Sequence, residues 1–244
     1  MNARARLIGT ALAFAVVVAG GVDRVRAQPG DAAASGRASA PVDLTGYWVS
    51  AVYEDWKFRM VTPDPGIFDG LPLNDEGLRI GAAWDPAADE ASGDACKAYG
   101  APAIMRMPGR FRISWEDDNT LRIDTDQGEQ TRLLQFSPTP PGAPSRQGHS
   151  VASWQLAPGG GGTLKVTTDN LSPGYMRKNG APYGALAEMT EFINVHTLSN
   201  GDTLLSITTR VIDPQYFSGP AMSSTDLRKL PDDQGWATTA CQVR

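Results

Sequence analysis

Apolar and polar residues alternate along most of this chain, and the alternation starts in Asp43 to Met60, DLTGYWVSAVYEDWKFRM. Even positions Trp48, Val52, Trp56, Phe58 and Met60 are apolar, while Asp55, Lys57 and Arg59 are charged. Strand side chains switch faces at every residue, so the pattern predicts one long strand with a dry and a wet face. Glu54 breaks the rule by falling on the dry side. The same two-residue period recurs further on. Phe111, Ile113 and Trp115 stand opposite Arg110, Arg112 and Glu116. Leu121, Ile123 and Thr125 stand opposite Arg122, Asp124 and Asp126. Met189, Glu191, Ile193 and Val195 share one face of Leu186 to Thr197.

Ile104 to Met107, Thr131 to Phe136, Ser150 to Leu156, Thr163 to Thr168, Thr203 to Ile212 and Met222 to Leu230 read as further strands. Asn200-Gly201-Asp202 is a hairpin signal between two of them. Val61 to Pro72 and Ser137 to Gly148 are proline-rich and read as loops. Leu73 to Tyr99 is the one helical stretch. Asn74 is placed to cap it, Asp75 and Glu76 suit the positive end of a helix, and Asp85-Pro86 restarts it. The sum is about nine or ten strands on mostly short connections, which predicts antiparallel neighbours. An antiparallel sheet with one dry face protects its edges by closing or by doubling over. The expected fold is therefore all-β. It is an antiparallel lipocalin-like barrel of about 8–10 strands with a helical insertion near 74–96, and a β-sandwich is the alternative.

Composition adds a compartment. Arg4 and Arg6 precede the apolar run Leu7 to Val18, and Val25-Arg26-Ala27 offers small residues before a cut. Residues 1–27 read as a signal peptide, 28–42 as a flexible linker rich in Ala, Ser, Gly and Pro, and 43–244 as a single barrel domain. The expected location is the periplasm or the exterior, with no stable membrane anchor after processing near Ala27. Two cysteines are present, Cys96 and Cys241. In an exported chain a disulfide between them is the simplest reading, and two free thiols the alternative. A net charge of −5 without a basic run argues against a nucleic-acid partner. Two histidines and no ligand cluster offer no metal site. Gly159 to Gly162 lacks the Lys-Ser/Thr and the helix of a phosphate loop, so no cofactor is expected.

Gly46-Tyr47-Trp48 resembles the G-x-W of the first strand in lipocalins and related calycin barrels, where the tryptophan seals one end. A broader resemblance covers Asp43 to Leu230. It rests on Asp43-Leu44-Thr45-Gly46 with Trp48, Cys96 followed by Gly100, and Pro108-Gly109-Arg110. Gly148, Ser150 and Trp154 before Thr163-Leu164 continue it. Arg177-Lys178-Asn179-Gly180 with Pro182, Thr190-Glu191, and Asp213-Pro214 with Tyr216 complete it. These features are similar to a large, poorly characterised family of exported bacterial β-barrel proteins. The resemblance implies a secreted barrel and carries no general activity. In lipocalins a basic residue late in the chain packs on the tryptophan, a role for which Arg210 is the candidate here.

Glu191 and Glu54 are the catalytic candidates, because a carboxylate on an apolar face loses solvation and gains a raised pKa. Two in one cavity can divide acid and base roles, and each can instead pair with Arg106 or Arg210. His149, at a loop-to-strand junction, is a third candidate. Trp48, Trp56, Trp115 and Trp154 are candidates to line an aromatic cavity, or else to pack the core. Tyr175, Arg177, Lys178 and Tyr183 lie in a loop suited to binding beside a barrel mouth. Three functions follow: a barrel enclosing a small apolar or aromatic molecule, a cofactor-independent lyase, isomerase or hydratase, and an accessory subunit with a filled core. The partner expected is a small-molecule ligand or substrate; oligomeric state is left open.

Overall fold

The computed structural model describes residues 34–244. The expected leader and the first part of the linker lie outside the described residues. Eleven strands are present among the described residues: β1 (Gly46–Ala51), β2 (Arg110–Asp117), β3 (Thr120–Thr125), β4 (Thr131–Gln135), β5 (His149–Leu156), β6 (Gly162–Asp169), β7 (Gly174–Tyr175), β8 (Pro182–Tyr183), β9 (Glu188–Thr197), β10 (Thr203–Ile212) and β11 (Ala221–Leu230). Nine of them close a barrel in the order β1-β11-β10-β9-β6-β5-β4-β3-β2, and β7 pairs only with β8. The lipocalin-like closed barrel is therefore the observed architecture, and the sandwich is not.

Two departures from the expected wall have physical causes. The pairing of β4 with β5 is parallel, through Leu134↔Ser150 and Gln135↔Val151. The proline-rich loop after β4 is long enough to carry the chain back before it re-enters the sheet, whereas a tight turn would have reversed it. The first strand also stops early. On one side its partner ends with it, since Val49 pairs with Arg110, the first residue of β2; on the other side the last pair is Ala51 with Asp226, although β11 runs on to Ala221. Beyond that point the β2 side of the chain has no paired neighbour among the described residues, and the chain leaves β11. The chain turns at Asp55 (φ 50°) and forms a single helical turn, α1 (Trp56–Arg59). Trp56 is consequently 64% exposed rather than inside the barrel, and Glu54 lies outside the strand.

The helical stretch follows its caps. In α2 (Asp75–Ala82) the Asn74 side chain accepts from Gly77 N at 2.8 Å, and in α3 (Pro86–Ser92) the Asp85 side chain accepts from Ala87 N. A 3₁₀ turn (Ala95–Ala98) carries Cys96, and α4 (Ala101–Ile104) with the turn after it replaces the short strand expected over Ile104 to Met107. This excursion joins the end of β1 to the start of β2. It lies at the same barrel end as the β6–β9 and β10–β11 connections: Asn74 N donates to Tyr216 O at 2.8 Å, and Ser218 N to Pro72 O.

The barrel interior is filled. Trp48, Phe111, Leu121, Leu164, Leu205 and Leu227 are each at most 1% exposed, and all point inward from different strands. A second apolar cluster, including Phe68, Tyr183, Met189 and Phe217, lies between the helical end and the barrel. Trp48 Nε1 donates to Leu44 O at 3.0 Å, and Lys229 Nζ sits 5.4 Å from the centre of its ring. The basic residue over the tryptophan is thus Lys229, directly across the ladder on β11; Arg210 is exposed on β10. At the opposite end from the helices, residues 34–40 make a hydrogen-bonded turn against the barrel. Gly36 N donates to Asn119 Oδ1 at 2.9 Å, and Gly36 O accepts from Trp154 Nε1 at 2.8 Å.

Candidate functional site

The sequence-predicted residues occupy several separate places. Glu191 points into the barrel as its alternation requires, opposite Val166 and Thr209. It is 1% exposed and is held by Arg132, also 1% exposed, through Nη1–Oε1 at 3.1 Å and Nη2–Oε2 at 2.6 Å. Its partner is therefore neither Arg106 nor Arg210. Arg132 shares a face with Leu134, so a charged residue on an apolar stripe marks both members of the pair. Glu54 sits near the barrel mouth and pairs with Arg59. The two carboxylates are thus held by different arginines on different elements. His149 opens β5 with its Nδ1 3.5 Å from an Asp169 oxygen, and its Nε2 has no partner among the described residues.

The four tryptophans do not share one cavity. Trp48 is in the core and Trp56 is on the surface. Trp115 and Trp154 flank Phe136, with ring centres 5.3 and 5.7 Å from it, at the end covered by residues 34–40. Tyr175 donates to Asp89 Oδ2 at 2.9 Å, where Trp84 Nε1 also donates at 2.7 Å and Lys97 makes an ion pair. Burial opposes the Asp89 charge, yet those three donors hold its carboxyl below the ordinary range.

Tyr183 is fully buried, and its hydroxyl has no hydrogen-bond partner among the described residues. It packs where Gly100 and Gly174 leave room: a Cβ at Gly100 would stand 2.1 Å from that oxygen, and one at Gly174 2.5 Å. Burial pushes the phenol from the ordinary 10.0 up to about 12. A raised acid pKa contributes stability that is intact below the unfolded value and is lost as pH rises toward the folded value. Between pH 10.0 and about 12 this group alone is expected to withdraw about 2–3 kcal/mol. Thermal melting at pH 9 and pH 11 checks it: Tyr183→Phe should lose much less stability over that interval than the parent. Parallel losses in the two proteins would assign the alkaline transition elsewhere.

One end of the barrel opens into a pocket of about 150 Å³. Its apolar wall includes Phe58, Met60, Met107 and Met176, and its polar wall includes Arg59, Arg106, Arg177 and Lys178. Arg177 stacks on the Phe58 ring at 4.6 Å and donates to Asp69 O at 2.9 Å. Arg106 donates to Ser224 O at 2.8 Å and pairs with Asp55 at 2.7 Å. Arg59 Nε donates to Arg106 O at 2.8 Å. Lys178 Nζ lies 4.8 Å from the centre of the Tyr99 ring. Burial and then the nearby Arg106 charge lower the pKa of Arg177; burial also lowers that of Arg59, against the Glu54 charge. Of these residues Arg177 and Lys178 stood in the loop that the sequence marks as suited to binding. Arg59 and Met60 reach the pocket because the chain turns at Asp55, which no two-residue period reveals, and Met107 and Met176 come to it from distant segments.

Cys96 and Cys241 form a disulfide with a Cα–Cα distance of 5.1 Å. It ties the carboxyl-terminal tail to the helical end, and it points to an oxidising, exported location. Neither protein-family models nor curated protein sequences return a match to this chain. The likeness to lipocalins stands on architecture: a closed nine-stranded barrel, the buried tryptophan of the G-x-W, and a basic side chain over its ring.

Proposed function

We propose that this protein is a periplasmic or secreted barrel that binds a small molecule with an apolar or aromatic part, and that the molecule enters at the mouth. The observation that carries this reading is the pocket of about 150 Å³ beside α1. A cavity of that volume accepts about one benzene-sized ring. The bound portion is thus one ring or a short chain, with the remainder along the rim. The filled interior supports the mouth over the barrel axis as the place of binding. General acid–base chemistry calls for carboxylates around one point. Glu54 and Glu191 each stand in an ion pair of their own, which favours binding over turnover.

A second reading, an accessory subunit, draws on the exposed Tyr53, Trp56 and Val61 along the same stretch of chain. Native mass spectrometry of the protein, released gently from its own compartment, separates the two. A stoichiometric small molecule of defined mass is the expected result. A co-purifying protein with no small molecule would favour the subunit. A bare chain whose methionine methyl resonances ignore aromatic probes would overturn the binding reading.

A further inference from the structure

The mouth pocket is lopsided in charge. Arg59, Arg106, Arg177 and Lys178 line it, and no carboxylate does. Two of the cations have acidic partners, Arg59 with Glu54 and Arg106 with Asp55. Arg177 and Lys178 have no carboxylate partner among the described residues. The carboxylates that act on Arg59 and Arg177, which are Glu54, Asp55, Asp69 and Asp226, all stand outside the lining, so the wall that a ligand meets carries four cations and no carboxylate.

Local satisfaction is also incomplete. Arg59 is 2% exposed at its side chain, and its Nη2 donates to nothing among the described residues. Arg177 presents five N–H groups in a planar fork, of which one, on Nη1, donates to Asp69 O. Its guanidinium is fixed in place by the Phe58 ring beneath it. A guanidinium held by stacking, with donors to spare, is pre-organised for a planar or tetrahedral oxyanion. The same Phe58 ring and the side chains of Met60, Met107 and Met176 form the apolar wall next to it. Sulfur-rich walls adapt to aromatic rings. A smaller recess shares Arg106, Met176 and Arg177 and includes Asp55, which does not line the main pocket.

From this juxtaposition we infer that the pocket takes an aromatic or short apolar acid, with its carboxylate or phosphate on Arg177, Arg106 and Lys178 and its apolar part against Phe58 and the methionines. The inference rests on the binding reading above and adds the charge of the ligand to it. Three probes that share a ring and differ in charge test it: benzyl alcohol, benzoate and phenyl phosphate. Each is titrated into the full-length mature protein carrying ¹³C-methyl methionine, with the Met60, Met107 and Met176 resonances as readout.

Phenyl phosphate or benzoate is expected to bind at least about tenfold more tightly than benzyl alcohol, because a charge-assisted fork bond is added to the same ring contact. Whichever anion binds more tightly identifies the head group. Added salt should weaken the anions and leave the alcohol unchanged. Arg177→Met and, separately, Lys178→Met should bring anion binding down toward that of benzyl alcohol. Because Lys178→Met leaves the Arg177–Phe58 stack in place, it stays informative if Arg177→Met perturbs the fold. Equal affinities for all three probes would overturn the anion inference and leave the binding reading standing. Absence of any shift with all three would overturn both.

Discussion

Glu191→Gln is expected to destabilise this protein by about 3–5 kcal/mol, because it removes one partner of a fully buried ion pair and leaves the other charge uncompensated. Arg132 and Glu191 are each 1% exposed and meet through two hydrogen bonds inside the barrel. Neither can reach water when its partner is removed. For a domain of this size the loss corresponds to roughly 10 °C in melting temperature. Arg132→Met should cost about as much by leaving the carboxylate alone. The double variant Arg132→Met/Glu191→Met should recover most of the loss, since a methionine pair fills the space without buried charge. Thermal and urea unfolding of the three variants decide the matter. Additive losses in the double variant would show that the two groups do not act as a pair. The prediction bears on function too: an activity lost in Glu191→Gln would report unfolding unless the variant is first shown to be folded.

Breaking the Cys96–Cys241 bond is expected to lower stability by about 3–5 kcal/mol, the second large effect. The two residues are 145 apart in sequence, so the bond closes a loop that spans most of the barrel. Such a long loop restricts the unfolded chain strongly. The bond also anchors a tail that is held besides by hydrogen bonds, among them Thr239 N to Asp126 O at 2.8 Å and Gly128 N to Thr239 O at 2.8 Å. Cys96→Ser, Cys241→Ser and the double variant should all melt lower than the parent, and by similar amounts. Reductant should lower the melting temperature of the parent only. A parent that melts at the same temperature with and without reductant would show that the bond carries no stability.

The wall of the barrel was legible because it depends on a short-range rule. Phe111, Ile113, Leu121, Ile123, Met189 and Ile193 all face inward as the two-residue period requires. The hairpin at Asn200-Gly201-Asp202 forms where its turn residues put it, with Gly201 at φ 88°. The helix starts at Asn74 and Asp85 follow from capping chemistry that is equally local. The same rule misled between Val52 and Met60. There the alternation persisted, but the chain left the sheet at Ala51, where β2 no longer flanks it, and turned at Asp55 into a helical turn.

By itself, then, the sequence determined an all-β barrel with a helical excursion, the inward side of β2, β3 and β9, and the presence of a charged residue on an apolar stripe at Glu191. Only the tertiary structure decided that Arg132 is its partner, that Lys229 covers Trp48, that β5 runs parallel to β4, and that the pocket opens at the mouth among Phe58, Arg106 and Arg177. The physical reason is range. Periodicity and capping act over a few bonds and are written in adjacent residues. Ion pairs, strand order and pockets join residues that are distant in the chain, and they exist only once the sheet has closed.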